Sequence, residues 1–378
     1  MKAYIPIDNT SETLEKLAAI LGPNGMQPDR TGRLVAFPSS IAALNDVVRV
    51  AGTTRDYINP SSSEAETVTF NMHVNIERLN QILEIDLDNL TARVEAGIKH
   101  SVLSNALAKS GLIWPVTPLP GHDSLEQSVN SGLALGNSGF CPDLRHWILG
   151  ATLITRDGLR IEAGGRTIKN ASGYQINQTS IGARGLFGIV AEVQLRLEQL
   201  PPLSYSASIP LLGVGTSSLV STALNHLGLI RQLSIFATTK HPLTAFISIA
   251  GHAESVEPVQ FLINKRYPVT RPDLEVAAYA SCFSNAVPLI SWSAGPATCL
   301  QIIDQLDDMP IASEFVSFPL QRRGFVVGSD PSPIMDVITG SGGSASLLSG
   351  EAAGYLPPPL LTSATQPFTI RNIGCIQG

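Results

Sequence analysis

Apolar positions alternate with polar ones at two different periods along this chain, and the changes of period mark its elements. Leu14, Leu17, Ala18 and Leu21 recur at helical spacing behind Thr10 and Ser11 and ahead of Gly22, which predicts a helix over 9–22. Ile41, Leu44 and Val48 behind Ser39 and Ser40 predict a second helix ending at Gly52. Strands are expected at 54–59 and 67–72, around a polar turn at 59–64, and the run from Leu90 to Gly97 alternates as a strand does. His100 to Lys109 reads as helix, closed by Gly111; Pro115, Pro118 and Pro120 then exclude regular structure over 114–121 by removing donors and fixing φ. Two alternating runs, 148–155 and 159–162, flank Asp157 and Gly158 and predict a hairpin. The strand from Ile189 to Leu197 stops before Pro201 and Pro202, a natural boundary. Beyond it a strand over 244–250 and a helix over 297–306 continue the mixture, and 340–344 and 357–359 are punctuated by glycine, serine and proline. The expected class is α+β: an N-terminal helix within 1–26, a domain over 27–200, and a smaller α+β domain over 201–378.

Composition narrows the partners. The 378 residues are 44% hydrophobic and only 15% charged, well below the roughly 25% charged of an ordinary soluble domain. No run approaches the ~20 apolar residues of a membrane helix, and the first ten residues lack the apolar centre of a signal peptide. So few charges mean either that partner subunits cover part of the surface or that serine and threonine keep it wet. A net charge of −6 leaves no electrostatic footprint for nucleic acid. Cys141, Cys282, Cys299 and Cys375 lie far apart, which argues against a zinc site, a disulfide framework, or an iron–sulfur cluster held by this chain alone. Thiols in a reducing cytoplasm are the expectation.

The chemistry concentrates in two glycine-bearing stretches, 164–174 (G-G-R-T-I-K-N-A-S-G-Y) and 182–192, where Gly182, Gly185 and Gly188 fall at spacing three before a strand. Glycine at such points lets backbone amides approach a planar or charged ligand, though close packing of a turn on a strand demands it equally. The spacing differs from the G-x-G-x-x-G of nicotinamide folds. With four other segments in the same order, 33–48, 76–85, 91–98 and 144–150, this pattern resembles the FAD-binding domain of the PCMH-type (vanillyl-alcohol oxidase) flavoprotein family over residues 30–200. Within it the chain is most similar to the FAD-binding E-type subunits of bacterial glycolate oxidase, through the strand around Trp292 and the element at 343–350.

The resemblance implies a PCMH-type domain of two α+β subdomains, with non-covalent FAD on Ser61, Ser62, Ser63, Pro115, Ser124, Leu125, Gly182, Gly185, Gly188 and Ile189. It further implies a small 2-hydroxy acid as substrate, a larger flavoprotein subunit and an iron–sulfur subunit as partners, and a cytoplasmic place, peripheral to the inner membrane through a partner. Two departures stand out. The family's glycine-rich first phosphate loop is replaced by Asn59 to Glu64, and its second by Asp123 to Gln127, so that Glu64 and Glu126 would stand near phosphates. Serine hydroxyls donate to phosphate, while a carboxylate ~4 Å away repels it by about 1 kcal/mol even in water. A subunit that has lost FAD and serves structurally, and a stand-alone flavin oxidase, are the alternatives. Lys169 near a flavin edge competes with a solvated lysine, Tyr174 reads as a packed aromatic, and His146 and Cys141 lack an adjacent catalytic partner. No substrate carboxylate clamp is visible in the order of residues, so the expectation is either that the substrate is oxidised on a sister subunit or that the specificity is not readable in this sequence.

Overall fold

The computed structural model describes residues 3–5, 11–28, 34–51, 72–118, 122–132, 134–137, 143–155, 157–165, 176–183, 185–211, 215–238, 241–270, 289–309, 312–328 and 330–349. Helices α1 (Ser11–Leu21) and α2 (Ile41–Ala51) form where the apolar stripes predict them, and the Ser40 hydroxyl accepts from the Ala43 amide as a helix cap does. Leu17, Leu44, Val47 and Val48 are buried in one shared core. Beside these helices lies a four-stranded sheet in the order β1 (Ala3–Ile5), β4 (Met72–Val74), β3 (Leu34–Ala36), β2 (Met26–Pro28), with β3 and β4 parallel.

A five-stranded antiparallel sheet forms the centre of the first half. Its order is β11 (Arg160–Gly164), β10 (Ile148–Ile154), β12 (Ile189–Arg196), β6 (Thr91–Glu95), β5 (Ile82–Asp86). The hairpin expected over 148–162 is β10–β11, with Ala151 opposite Ala163. As the central strand, β12 is buried along most of its length, and Glu192 is buried with it. That carboxylate is held by Arg93, whose Nη2 approaches to 2.6 Å, and by the Thr152 hydroxyl at 3.0 Å. A buried carboxylate persists only with such donors. Just before the stretch expected to be irregular, 114–121, β7 (Leu112–Ile113) pairs with β13 (Glu198–Gln199); within it a short pair forms after all, β8 (Val116–Thr117) with β9 (Leu135–Gly136). Prolines flank β8 instead of interrupting it, so each two-residue ladder keeps its donors.

Buried apolar side chains between Leu17 and Leu197 make one core; those between Ala207 and Ile338 make another. The second surrounds a seven-stranded antiparallel sheet, β14 (Leu203–Pro210), β16 (His241–Gly251), β15 (Ile230–Thr238), β18 (Ala312–Phe318), β19 (Arg323–Gly328), β17 (Leu289–Ser293), β20 (Ser344–Ser349). Its packed helices include α6 (Thr216–Leu224), α7 (Ala253–Arg266), α8 (Pro296–Asp307) and α9 (Pro331–Gly340). On β17 Trp292 lies opposite Gly324, whose missing Cβ would stand 2.5 Å from the indole; only glycine admits the ring there. Among the described residues, two polar contacts tie the halves together: Arg231 of β15 to Glu198 of β13, and Arg323 of β19 to the backbone of Gly132.

Candidate functional site

The turn that carries the second expected phosphate loop leads from α3 (His100–Lys109) into a short helix, α4 (Leu125–Ser131). Ser124 and Gln127 form a reciprocal capping box, the hydroxyl accepting from the Gln127 amide and the Gln127 side chain from the Ser124 amide. The Leu125 amide donates to Ile98 O at 3.0 Å and the Glu126 amide to Ala96 O at 2.7 Å. A phosphate at a helix start needs open amides, and these four have acceptors inside the protein. Glu126 is itself buried, with Asn130 Nδ2 donating to its Oε1, and burial raises its pKa above the usual carboxylate range. The α4 turn therefore does not fit a pyrophosphate.

The glycines serve the chain's own packing. Gly132 ends α4 with φ +66° and sits against Gly182, φ +79°; a Cβ on Gly132 would lie 2.8 Å from Gly182 Cα. The Gly182 amide donates to Val129 O at 2.8 Å. Gly185 also has positive φ, and its carbonyl accepts from the Gly188 amide. At Gly188, φ +134°, a Cβ would fall 2.3 Å from Ile154 O, where Ile189 opens β12 opposite Ile154. Of the ten expected cofactor residues, Ser61, Ser62 and Ser63 lie outside the described residues, as do Lys169, Tyr174 and Cys141. Ser124 and Leu125 stand at one end of α4 and Gly182 at the other, while Gly188 and Ile189 belong to the β10–β12 edge. Pro115 is buried, its carbonyl accepting from the Asn137 amide at 2.7 Å. His146 is exposed, with Nδ1 3.3 Å from Asp143 O.

Two residues near these positions went unremarked in the sequence. Asn130 Oδ1 and Asn137 Oδ1 are buried acceptors with no donor among the described residues. An orphaned buried acceptor is costly unless a ligand or water completes it, so either oxygen could take an N–H donor such as the flavin N3–H. The α4 amides, by contrast, do not fit the phosphates of a dinucleotide.

The Gly132–Gly182 pair also marks the junction of the two halves. From the second half, Arg323 Nη1 donates to Gly132 O at 3.1 Å. From the first, Arg145 Nη2 donates to Ile181 O at 3.1 Å and lies 3.9 Å from where a Gly182 Cβ would be. Burial lowers the Arg323 pKa, Asp143 opposes that effect, and the like charge of Arg145 adds to it. Beside the residue preceding Gly132, His122 Nδ1 lies 3.4 Å from Ser131 Oγ. Burial lowers the pKa of His122, which favours its neutral imidazole. The sequence signal for Arg323 was the pair Arg322–Arg323 before Gly324; only the β17–β19 register places it at the junction.

Comparison with known proteins places these features in a family. Residues 32–176 match the FAD binding domain family. The chain is 31% identical over 180 residues to a D-2-hydroxyglutarate dehydrogenase of Xanthomonas citri pv. viticola, covering 45% of this chain and 38% of that protein. It is 26% identical to glycolate oxidase subunit GlcD of Bacillus subtilis, over 51% of this chain and 46% of the relative. The chain thus spans less than half the length of these curated relatives. Among solved structures, alkyldihydroxyacetonephosphate synthase superposes with TM-score 0.67 at 13% identity, covering 90% of this chain and 82% of that one. Substrate-bound p-cresol methylhydroxylase superposes with TM-score 0.61 at 12% identity, covering 90% of each. At such identities the likeness speaks for the fold.

Proposed function

We propose, for a chain that belongs to the PCMH-type FAD-binding flavoproteins, that it is an FAD-dependent oxidoreductase acting on the CH–OH group of small 2-hydroxy acids. The observation that carries this reading is the FAD binding domain match over residues 32–176, which runs through α4 and the junction residues Gly132 and Arg145. The finer reading is a flavin subunit of a glycolate oxidase-like complex, beside a larger flavoprotein and an iron–sulfur partner. The wide spacing of the four cysteines supports a cluster held elsewhere. No helix among the described residues is long and apolar enough to cross a membrane.

FAD, when bound, supplies the two-electron acceptor. Around it this chain's own residues have distinct tasks. Asn130 or Asn137 would accept from the flavin N–H, and Ser61, Ser62 and Ser63, if they line the site as the resemblance implies, would donate to the phosphates. His122 receives the substrate's hydroxyl proton on its neutral ring, with Ser131 Oγ orienting Nδ1.

The test begins with flavin content. Purified protein, or protein incubated with FAD, is expected to show the flavin absorbance band, and acid precipitation to release the flavin intact because no covalent link holds it. Glycolate, D-lactate or D-2-hydroxyglutarate added without air should bleach that band. Protein that takes up no FAD would overturn the reading in favour of a structural subunit, which the self-satisfied α4 turn favours. Rapid substrate-dependent peroxide formation in air would instead make the chain a stand-alone oxidase.

A further inference from the structure

Helix α7 packs on the second half through Val256, Val259 and Ile263, which are buried at helical spacing. Its opposite side carries a second stripe. Glu254, Pro258, Phe261 and Lys265 follow at intervals of four, three and four, so they lie in one line along the outer face. All four are exposed. Phe261, at 67%, is the most exposed large apolar side chain among the described residues, and Leu262 beside it is exposed at 36%. Intervals of three and four are those by which one helix meets another along a seam.

Charge on the stripe is divided, with Glu254 in the first turn of the helix and Lys265 in the last. The helix dipole favours that placement, but it gives no reason for an exposed phenylalanine and proline between the two charges. Lys265 Nζ stands 6.0 Å from the centre of the Phe261 ring, at the outer limit of a cation–π contact. Among the described residues neither Glu254 nor Lys265 has an oppositely charged partner within ion-pair distance.

We propose that the outer face of α7 pairs with the same face of a second copy of this chain, the two helices running antiparallel about a twofold axis. The antiparallel arrangement matches the stripe to itself. With the axis between residues 259 and 260, Glu254 faces the partner's Lys265 and Pro258 faces the partner's Phe261, and the twofold repeats both pairs. A parallel pair would instead set glutamate against glutamate and lysine against lysine, which repels. An anionic lipid surface suits the face less well, because Glu254 and Glu257 are both exposed on α7. A helix of 14 residues is only about 21 Å long, so the interface is small and the dimer forms and dissociates with concentration.

Pairing through α7 needs no flavin, so the experiment uses the purified full chain with and without FAD. Sedimentation velocity over a concentration series up to about 100 μM is expected to show a monomer–dimer equilibrium for wild type. Phe261→Asp should weaken the dimer at least about 10-fold, as the loss of a central aromatic anchor does. Lys265→Glu sets carboxylate against carboxylate at both ends of the seam and should weaken it by a similar factor. Adding Glu254→Lys to Lys265→Glu makes the facing charges opposite again, and the double variant should return to near the wild-type equilibrium. Melting temperatures are expected to stay close to wild type, since these side chains are exposed; if Phe261→Asp lowers the melting temperature, the charge-swap pair decides alone.

Wild-type protein that stays monomeric throughout the series overturns the proposal. So does a dimer that neither Phe261→Asp nor Lys265→Glu weakens, which puts the contact elsewhere, or a double swap that remains as dissociated as Lys265→Glu. Monomeric wild type that sediments with phosphatidylserine–phosphatidylcholine vesicles, and loses them in Phe261→Asp, would assign the face to a lipid surface instead.

Discussion

Replacing Gly188 by alanine is expected to destabilise the first half by more than about 4 kcal/mol, the exceptional end of single substitutions. The reason is local. At φ +134° the added Cβ would meet Ile154 O at 2.3 Å and Thr155 Cα at 2.9 Å. Ile154 is pinned in the β10–β12 ladder, where it pairs with Ile189, and Thr155 is held by its amide bond to Leu159 O in the turn that follows. Nothing flexible stands there to give way, and a conformation of this kind costs a residue with a side chain about 1–3 kcal/mol before any clash. Gly182→Ala provides the contrast. Its φ of +79° is strained for alanine, but the nearest atoms, Gly132 Cα and Ser131 O, lie at 3.6 Å, an ordinary contact. That variant should lose only about 1–2 kcal/mol. Urea unfolding of the two variants beside wild type measures the difference. If these glycines serve a ligand alone, both variants will unfold at the wild-type midpoint and differ only in FAD uptake. A Gly188→Ala protein within 1 kcal/mol of wild type would refute the packing account.

Acid should destabilise the protein through His100 before its carboxylates are fully protonated. This imidazole stacks on Trp114, ring centroids 5.7 Å apart and planes within 4°, and its Nε2 lies 2.9 Å from the buried Ser128 Oγ. Burial pushes its pKa down from 6.5 to about 4; a hydrogen bond to the Ser124 backbone and the charge of Asp123 oppose that shift, and the neighbouring His122 adds to it. The unfolded chain takes up this proton near pH 6.5 and the folded one only near pH 4. Stability is therefore complete above the unfolded value and falls with pH between the two, by about 1.4 kcal/mol per unit and about 3 kcal/mol in all. His122, whose pKa burial also lowers, acts in the same direction. Denaturation at a series of pH values should show wild type losing stability from pH 6.5 downward. His100→Gln, which keeps a polar partner for Ser128, should lose it with a slope shallower by about one proton. Parallel profiles for the two proteins would show that His100 gains its proton as easily in the folded state as outside it.

Local order was legible because it is written in local rules. The helices at Ser11–Leu21, Ile41–Ala51 and His100–Lys109 and the hairpin β10–β11 follow from spacing, caps and turn residues within a dozen positions. The ordered segments between 30 and 200 carried the family because together they describe one flavin-binding fold. Roles were less legible than shapes. Asp123 to Gln127 reads as a degenerate phosphate loop in sequence; in the structure the same Ser124 and Gln127 close a capping box, since an S-x-x-Q spacing serves a helix start as readily as an anion. Gly188 reads in sequence as either a ligand contact or a point of close packing; the structure adds the carbonyl of Ile154 beneath it, which requires glycine there in either case.

What the sequence determined by itself was the class, the order of elements and the FAD binding family, all of which rest on near neighbours along the chain and on their succession. The tertiary structure alone decided which distant groups touch. Arg323 reaches Gly132 because β19 aligns with β17 in one half, and Gly182 and Arg145 come to the same place because α4 packs against the turn at Ile181 in the other. No period or local spacing encodes a contact across 191 positions. It arises only when two separate cores, each closed by its own apolar burial, are brought edge to edge.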